Sequence, residues 1–148
     1  MAKRSPRPEG MPWITPYLTV KDASAALDFY QRAFGFEKRV EMPGPDGRIR
    51  HAEMNWRDGV IMMGPEGAYG ATAKAPVTSG TEAPISIYVY CDDVDALCAR
   101  AKAAGAKVTS PPQDMFWGDR CCRLVDPNGY SWNFATNVGD FDPSKAPK

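Results

Sequence analysis

From Trp13 to Val20 the side chains alternate, with Leu18 and Val20 on one face and Thr15, Tyr17 and Thr19 on the other, which predicts a β-strand. The period then changes. Asp22 stands where a helix N-cap belongs, and Ala26, Leu27, Phe29, Tyr30, Ala33 and Phe34 recur at helical spacing before Gly35 ends the run. Phe36 to Met42, Ile49 to Asn55 and Val60 to Gly64 read as three more strands, separated by Pro45-Asp46-Gly47 and Arg57-Asp58-Gly59 turns. Residues 65–84 are rich in Gly, Ala, Pro, Ser and Thr and have neither period. A connection of that length is usually functional or mobile, and a flap over a pocket or an arm to a partner chain would both suit it.

The order then repeats. Ile85 to Tyr90 reads as a strand, Asp92 or Asp93 caps a helix reaching about Ala104, and strands follow near Lys107 to Ser110, Trp117 to Val125 and Tyr130 to Thr136. Asp22, Leu27 and Gly35 recur at Asp92, Leu97 and Gly105, each 70 positions on, and Asp58-Gly59 recurs at Asn128-Gly129 with the same offset. Two copies of one unit are therefore expected, with a concave space between them for a ligand. The expected division is a flexible leader over 1–12, a first module over 13–64, a linker over 65–84, a second module over 85–137 and a tail over 138–148. Each sheet is expected to pack one face on its own helix.

Composition narrows the classes. The chain has 148 residues with 43% hydrophobic content, enough for one compact domain or two half-domains. Its 18 basic and 18 acidic residues balance, leaving no net field for nucleic acid or an anionic membrane. No apolar run approaches the roughly 20 residues of a membrane span. The leader lacks the apolar stretch of a signal peptide, and Lys3, Arg4 and Arg7 read as a solvated tail. Cys91, Cys98, Cys121 and Cys122 lack the C-x-x-C spacing of a zinc knuckle, so reduced thiols and a cytoplasmic location are expected.

Several strings carry a resemblance: Ile14-Thr15-Pro16-Tyr17-Leu18-Thr19-Val20-Lys21-Asp22, Leu27-Asp28-Phe29-Tyr30, Phe34-Gly35-Phe36, His51-Ala52-Glu53, Phe116-Trp117-Gly118-Asp119-Arg120, and Asp126-Pro127-Asn128-Gly129-Tyr130-Ser131-Trp132. In this order and spacing the chain resembles the vicinal-oxygen-chelate superfamily, which includes glyoxalase I, extradiol dioxygenases, and fosfomycin- and bleomycin-resistance proteins. The local match is to its PhnB-like branch. The resemblance implies an α+β fold of two tandem βαβββ modules forming a half-open mixed β-barrel, often as a homodimer, on which members do unrelated chemistry.

Metal-dependent members of that superfamily place His and Glu ligands on the first and fourth strands of each half. Projected here, those positions are Thr15, Met62 or Met63, Ser86 and Asn133, none of which offers imidazole, carboxylate or thiolate. The single histidine, His51, shares a strand face with Glu53, but nothing at recognisable spacing completes a triad. The branch often carries a histidine where this chain has Tyr130. No metal and no cofactor are therefore expected. No G-x-S-x-G elbow or P-loop is present, and Cys121 and Cys122 read as strand residues facing opposite ways.

The centre-facing set is Thr15, Tyr17, Thr19, His51, Glu53, Met62 or Met63, Ser86, Tyr88, Tyr90, Ser131 and Asn133, a lining suited to a small, partly aromatic molecule. Trp117 and Arg120 offer a stacking surface and an anion-binding fork at the rim; the alternative is an Asp119-Arg120 pair fixing the turn while Trp117 covers the core. Trp132 and Phe134 should be core. The favoured function is metal-free binding of a small organic molecule. The alternative is a lyase, isomerase or dioxygenase-type enzyme with a non-standard site at His51 and Glu53.

Overall fold

In the computed structural model, which describes residues 2–148, two series of elements run in the same order. The first is β1 (Tyr17–Val20), α1 (Ala23–Phe34), β2 (Glu37–Pro43), β3 (Ile49–Trp56) and β4 (Gly59–Pro65). A single helical turn, α2 (Pro76–Ser79), precedes the second: β5 (Ser86–Tyr90), α3 (Val94–Ala103), β6 (Lys107–Asp114), β7 (Asp119–Val125) and β8 (Ser131–Asn137). Met1, the first residue of the expected leader, lies outside the described residues. The chain divides into two units, the first running to Ala75 and the second taking Pro76–Lys148 together with Arg32–Phe34. Among the described residues no helix is long and apolar enough to cross a membrane.

In the first unit the sheet order is β1-β4-β3-β2, with β1 parallel to β4 and the remaining pairs antiparallel. Leu18, Val20, Ala52, Met54, Ile61 and Met63 form its buried face. Helix α1 is capped by the Asp22 carboxylate, which accepts from Ala25 N at 2.7 Å, and ends at Gly35 with φ 74°. All six apolar positions expected of this helix are buried. Strand β1 is shorter than the alternation predicts, and Thr15 lies ahead of it. Pro16 has no N–H for the ladder, although its carbonyl accepts from Met62 N at 2.9 Å. Arg7 is not a solvated charge: it donates to the Met11 carbonyl and lies 5.1 Å over the Trp13 ring.

The second unit repeats the topology as β5-β8-β7-β6, again with one parallel pair. Helix α3 packs on β6, β7 and β8 of that sheet. Its cap is Asp93, accepting from Ala96 N at 3.0 Å, so the caps are 71 positions apart and the 70-residue echo at Asp92 is off by one. Strand β6 runs past the expected Ser110 to Asp114 through Pro111 and Pro112, with its pairing broken between Ser110 and Gln113. Prolines are tolerated there because β6 is an edge strand. Residues 65–84 contain a 3₁₀ turn at Ala68–Gly70 besides α2, and Val77 N donates to Asn128 O at 3.0 Å.

The second core is aromatic. Trp132 and Phe134 are fully buried, and Phe34 lies 5.1 Å from the first ring and 4.7 Å from the second. Asp126, only 5% exposed, holds the turn that delivers Trp132: its carboxylate accepts from Asn128 N, Tyr130 N and the Trp132 indole at 2.9, 3.0 and 2.8 Å. Asp126→Ala should lower stability by about 2–4 kcal/mol, since it strands a buried indole N–H. Urea unfolding measures this, and a loss under about 0.5 kcal/mol, the level of an ordinary surface substitution, would contradict the role given to the turn.

Candidate functional site

In the first unit, the alternation that buries Ala52 and Met54 turns His51 and Glu53 to the other face of β3. Glu53 stands across from Met62, and Met62 across from Tyr17. Tyr17 Oη is 3.2 Å from His51 Nδ1, His51 Nε2 is 3.1 Å from Glu53 Oε1, and Arg39 Nε donates to Glu53 Oε2 at 3.1 Å. A carboxylate only accepts, so in the neutral ring Nε2 carries the proton and Nδ1 accepts from the phenol. Burial, and then Tyr69 nearby, raise the pKa of Tyr17 and keep its hydroxyl a donor. Gly64 makes room for that ring, because a Cβ there would stand 2.6 Å from Tyr17 Oη.

The second unit carries the same face with other chemistry. Tyr88 stands across from Asn133, and Asn133 across from Arg123. By register Tyr88 matches Tyr17 and Asn133 matches Met62, both 71 positions on, whereas Arg123 matches Glu53 and Cys121 matches His51, both 70 on. The tyrosine bond is kept in both units: Tyr88 Oη lies 2.8 Å from Cys121 Sγ. Ser86, Tyr88, Trp117, Cys121, Arg123 and Asn133 line a cavity of about 470 Å³, joined by Ser110, Gln113 and Met115. That is a volume suited to a small organic molecule.

Behind the cavity sits Asp119, 2% exposed. Its Oδ2 accepts from Tyr88 Oη at 2.8 Å and Tyr90 Oη at 2.9 Å, and its Oδ1 from Asn137 Nδ2 at 3.0 Å. Burial pushes this carboxyl's pKa up, but the donors Asn137, Tyr88, Tyr90 and Trp117 outweigh it and hold the value below the ordinary one. Tyr88 in turn accepts from Trp117 Nε1 at 3.1 Å, fixing the indole at the cavity wall. Burial, then the contact with Cys121, raises the Tyr88 pKa well above that of a free phenol. Gly118 allows the turn: its φ is 97°, and a Cβ there would collide with the Gly139 carbonyl oxygen.

Of the residues singled out by sequence, Ser86, Tyr88, Trp117 and Asn133 come together around this cavity. Tyr17, His51, Glu53 and Met62 gather on the first unit's sheet, with Thr15 just ahead of β1. Arg120 joins neither set. Its guanidinium makes a two-point bond to Asp95 at 2.7 and 2.9 Å and reaches Asp114 at 3.0 Å. The expected Asp119-Arg120 pair is therefore corrected, because neighbouring residues on a strand face opposite ways. Arg123, Gln113, Met115 and the hub role of Asp119 went unseen in the sequence. Period-two spacing from Cys121 and the 70-residue offset from Glu53 were the signals that pointed to Arg123.

The positions where metal-dependent relatives hold an ion do not fit one here. Thr15, Met62, Ser86 and Asn133 supply hydroxyl, thioether, hydroxyl and carboxamide, donors too weak for a divalent first-row ion. His51 and Glu53 fit no better, since both ring nitrogens and both carboxylate oxygens are already bonded. Among the described residues, no group of three or more His, Cys, Asp or Glu side chains gathers to complete a set.

Comparison with known proteins gives a consistent picture. The profile described as the Glyoxalase/Bleomycin resistance protein/Dioxygenase superfamily matches residues 10–134. Uncharacterized protein Rv0887c of Mycobacterium tuberculosis (strain ATCC 25618 / H37Rv) is 35% identical over 134 residues, covering 88% of this chain and 78% of its own. The crystal structure of TioX from Micromonospora sp. ML1 superposes with TM-score 0.68 at 30% identity, over 84% of this chain and 98% of that one. TnmS3, an antibiotic binding protein from Streptomyces sp. CB03234, shares the fold with TM-score 0.60 at 23% identity, over 84% of this chain and 93% of its own.

Two outcomes follow from the groups around the cavity. A folded-state pKa below the unfolded value means that Asp119 stabilises the fold above about pH 4, the unfolded carboxylate value, and that this stabilisation fades as pH falls through the lower folded value. The stability gap between wild type and Asp119→Asn should thus narrow in acid unfolding below about pH 4; a gap that widens there would contradict the hub. The thiols should be inert: burial, then Cys98, pushes Cys122 up to about 12, and burial raises Cys121. Native protein at pH 8 should leave Cys98, Cys121 and Cys122 unmodified by a disulfide reagent that titrates all four cysteines after denaturation. Fast labelling of Cys121 would overturn this.

Proposed function

The chain belongs to the glyoxalase/bleomycin resistance protein/dioxygenase superfamily, and on that footing we propose that it binds a small organic molecule in the second unit's cavity without a metal ion. One observation carries the proposal: a cavity of about 470 Å³ walled by Tyr88, Trp117 and Met115, with Ser86, Gln113, Arg123 and Asn133 presenting polar groups. Flat apolar walls with a few convergent hydrogen-bonding groups are what an aromatic or amphipathic molecule needs. The donor chemistry at the projected metal positions supports binding without an ion. The fold is compatible with such a role, since TnmS3 uses it as an antibiotic binding protein.

The proposal extends to a PhnB-like placement within the superfamily, on the strength of the strings from Ile14 to Trp132. It includes a homodimer, supported by exposed Trp13, Ile14 and Met42 in the first unit. A cytoplasmic location is supported by four free cysteines. The modules are taken as 13–64 and 85–137, flanking the 65–84 connection.

A second reading has its own observation. The Tyr17–His51–Glu53 chain holds an imidazole between a phenol and a carboxylate, an arrangement able to pass a proton, and it supports an isomerase or lyase acting at His51. The two readings separate experimentally. Titration of intrinsic fluorescence with a panel of aromatic antibiotics and metabolites should show quenching and thermal stabilisation that persist in EDTA. Trp117→Leu should bind about tenfold more weakly, and His51→Ala should bind as wild type does. Stoichiometric transition metal, or binding abolished by EDTA, would contradict the proposal, and turnover of a panel member that is lost in His51→Ala would favour the second reading.

A further inference from the structure

We infer that the ligand of this cavity carries a carboxylate beside its aromatic ring, and that Arg123 is the residue that recognises it. The inference rests on the binding role proposed above and goes on to name the charge class of the ligand. Among the described residues lining the cavity, Arg123 is the one charged side chain. Its Nε donates to Asn133 Oδ1 at 3.0 Å, and Asn133 Nδ2 donates to Ser86 Oγ at 3.0 Å. That chain runs across three neighbouring strands, β7, β8 and β5, and it sets the plane of the guanidinium in advance.

The two terminal nitrogens of Arg123 have no hydrogen-bond or ion-pair partner among the described residues. The contrast with its counterpart is direct. At the matching position of the first unit, Glu53 is neutralised by Arg39 at 3.1 Å. Arg120, three residues before Arg123, is saturated by Asp95 and Asp114. Among the described residues lining the cavity, Arg123 alone offers a guanidinium with open terminal donors, and it does so beside a tyrosine and an indole. A planar carboxylate matches two parallel N–H donors, while the attached ring meets Trp117 and Tyr88. Arg123 also borders a neighbouring concavity of about 360 Å³ lined by Glu82, Pro84, Ile85 and Ser131, whose Glu82 carboxylate disfavours an anion and so leaves the acid group on the Trp117 and Tyr88 side of the guanidinium.

The test uses the full-length protein and three matched pairs: 2-naphthoate and 2-naphthamide, indole-3-acetate and indole-3-acetamide, benzoate and benzamide. Each pair keeps the ring and changes the charge. In low salt the acids should bind about tenfold more tightly than the amides, and the preference should shrink at 0.5 M salt because Arg123 is exposed. Arg123→Met should bring each acid down to the affinity of its amide. Arg123→Lys should keep part of the preference, since it retains the charge but loses the fork. Equal binding of acid and amide, or an acid preference that survives in Arg123→Met, overturns this inference and leaves the binding role standing. Failure of every pair and of the wider panel to bind overturns both. Melting curves matching wild type for both variants establish that a lost preference reflects lost recognition.

Discussion

Asp119 is a carboxylate 2% exposed, and among the described residues no cation pairs with it. An ionised group in that position is tolerable only if hydrogen bonds replace its lost hydration. Tyr88, Tyr90 and Asn137 supply them. Meeting that demand fixes the direction of two tyrosines on β5. The same Asn137 amide reaches the carbonyls of Gly118 and Gly139, tying the turn before β7 to the chain after β8. Once Tyr88 is held, Trp117 has an acceptor for its indole N–H and lies at the wall of the cavity. The site is therefore shaped by satisfying a buried charge that does not itself line it.

The duplicated unit shows how one backbone plan can carry two chemistries. In each copy a tyrosine from the first strand bonds to a residue on the third, His51 in one and Cys121 in the other. In the first copy the polar chain closes on itself, ending in the Glu53–Arg39 ion pair. In the second it ends in Arg123, with terminal donors unspent. A closed network stiffens a sheet face; an open one leaves something for a ligand to complete. This asymmetry, more than the absence of a suitable donor set for an ion, is what supports the binding role proposed for the second unit.

The elements were legible in the sequence where local physics decides them. The six apolar positions of α1, its Asp22 cap and its Gly35 terminator all fall where spacing and turn chemistry put them. So do Trp132 and Phe134, core residues by alternation alone. The site was only partly legible, because its contacts depend on register between strands far apart in the chain. Ser86, Tyr88 and Asn133 could be found by assuming the pleat, but the partner of Asp119 could not. Adjacency in sequence pointed to Arg120, and the pleat sends Arg120 to Asp95 on α3 instead. The offset of 70 read from the sequence holds along β3 and β7 and slips to 71 at the helix caps and at the strands bearing Tyr88 and Asn133. A one-residue slip hides which side chains are equivalent, and it hid the correspondence of Tyr17 with Tyr88 and of Met62 with Asn133, whereas Glu53 and Arg123 keep the offset of 70.

Nuclear magnetic resonance mapping of a bound aromatic molecule on isotope-labelled protein is the most direct measurement. Titration should move the Trp117 indole N–H and the Arg123 Nε–H signals together, with backbone shifts on β5, β7 and β8 and little change at His51. Shifts centred on Tyr17, His51 and Glu53, with Trp117 and Arg123 unmoved, would contradict the account and place the chemistry on the other unit.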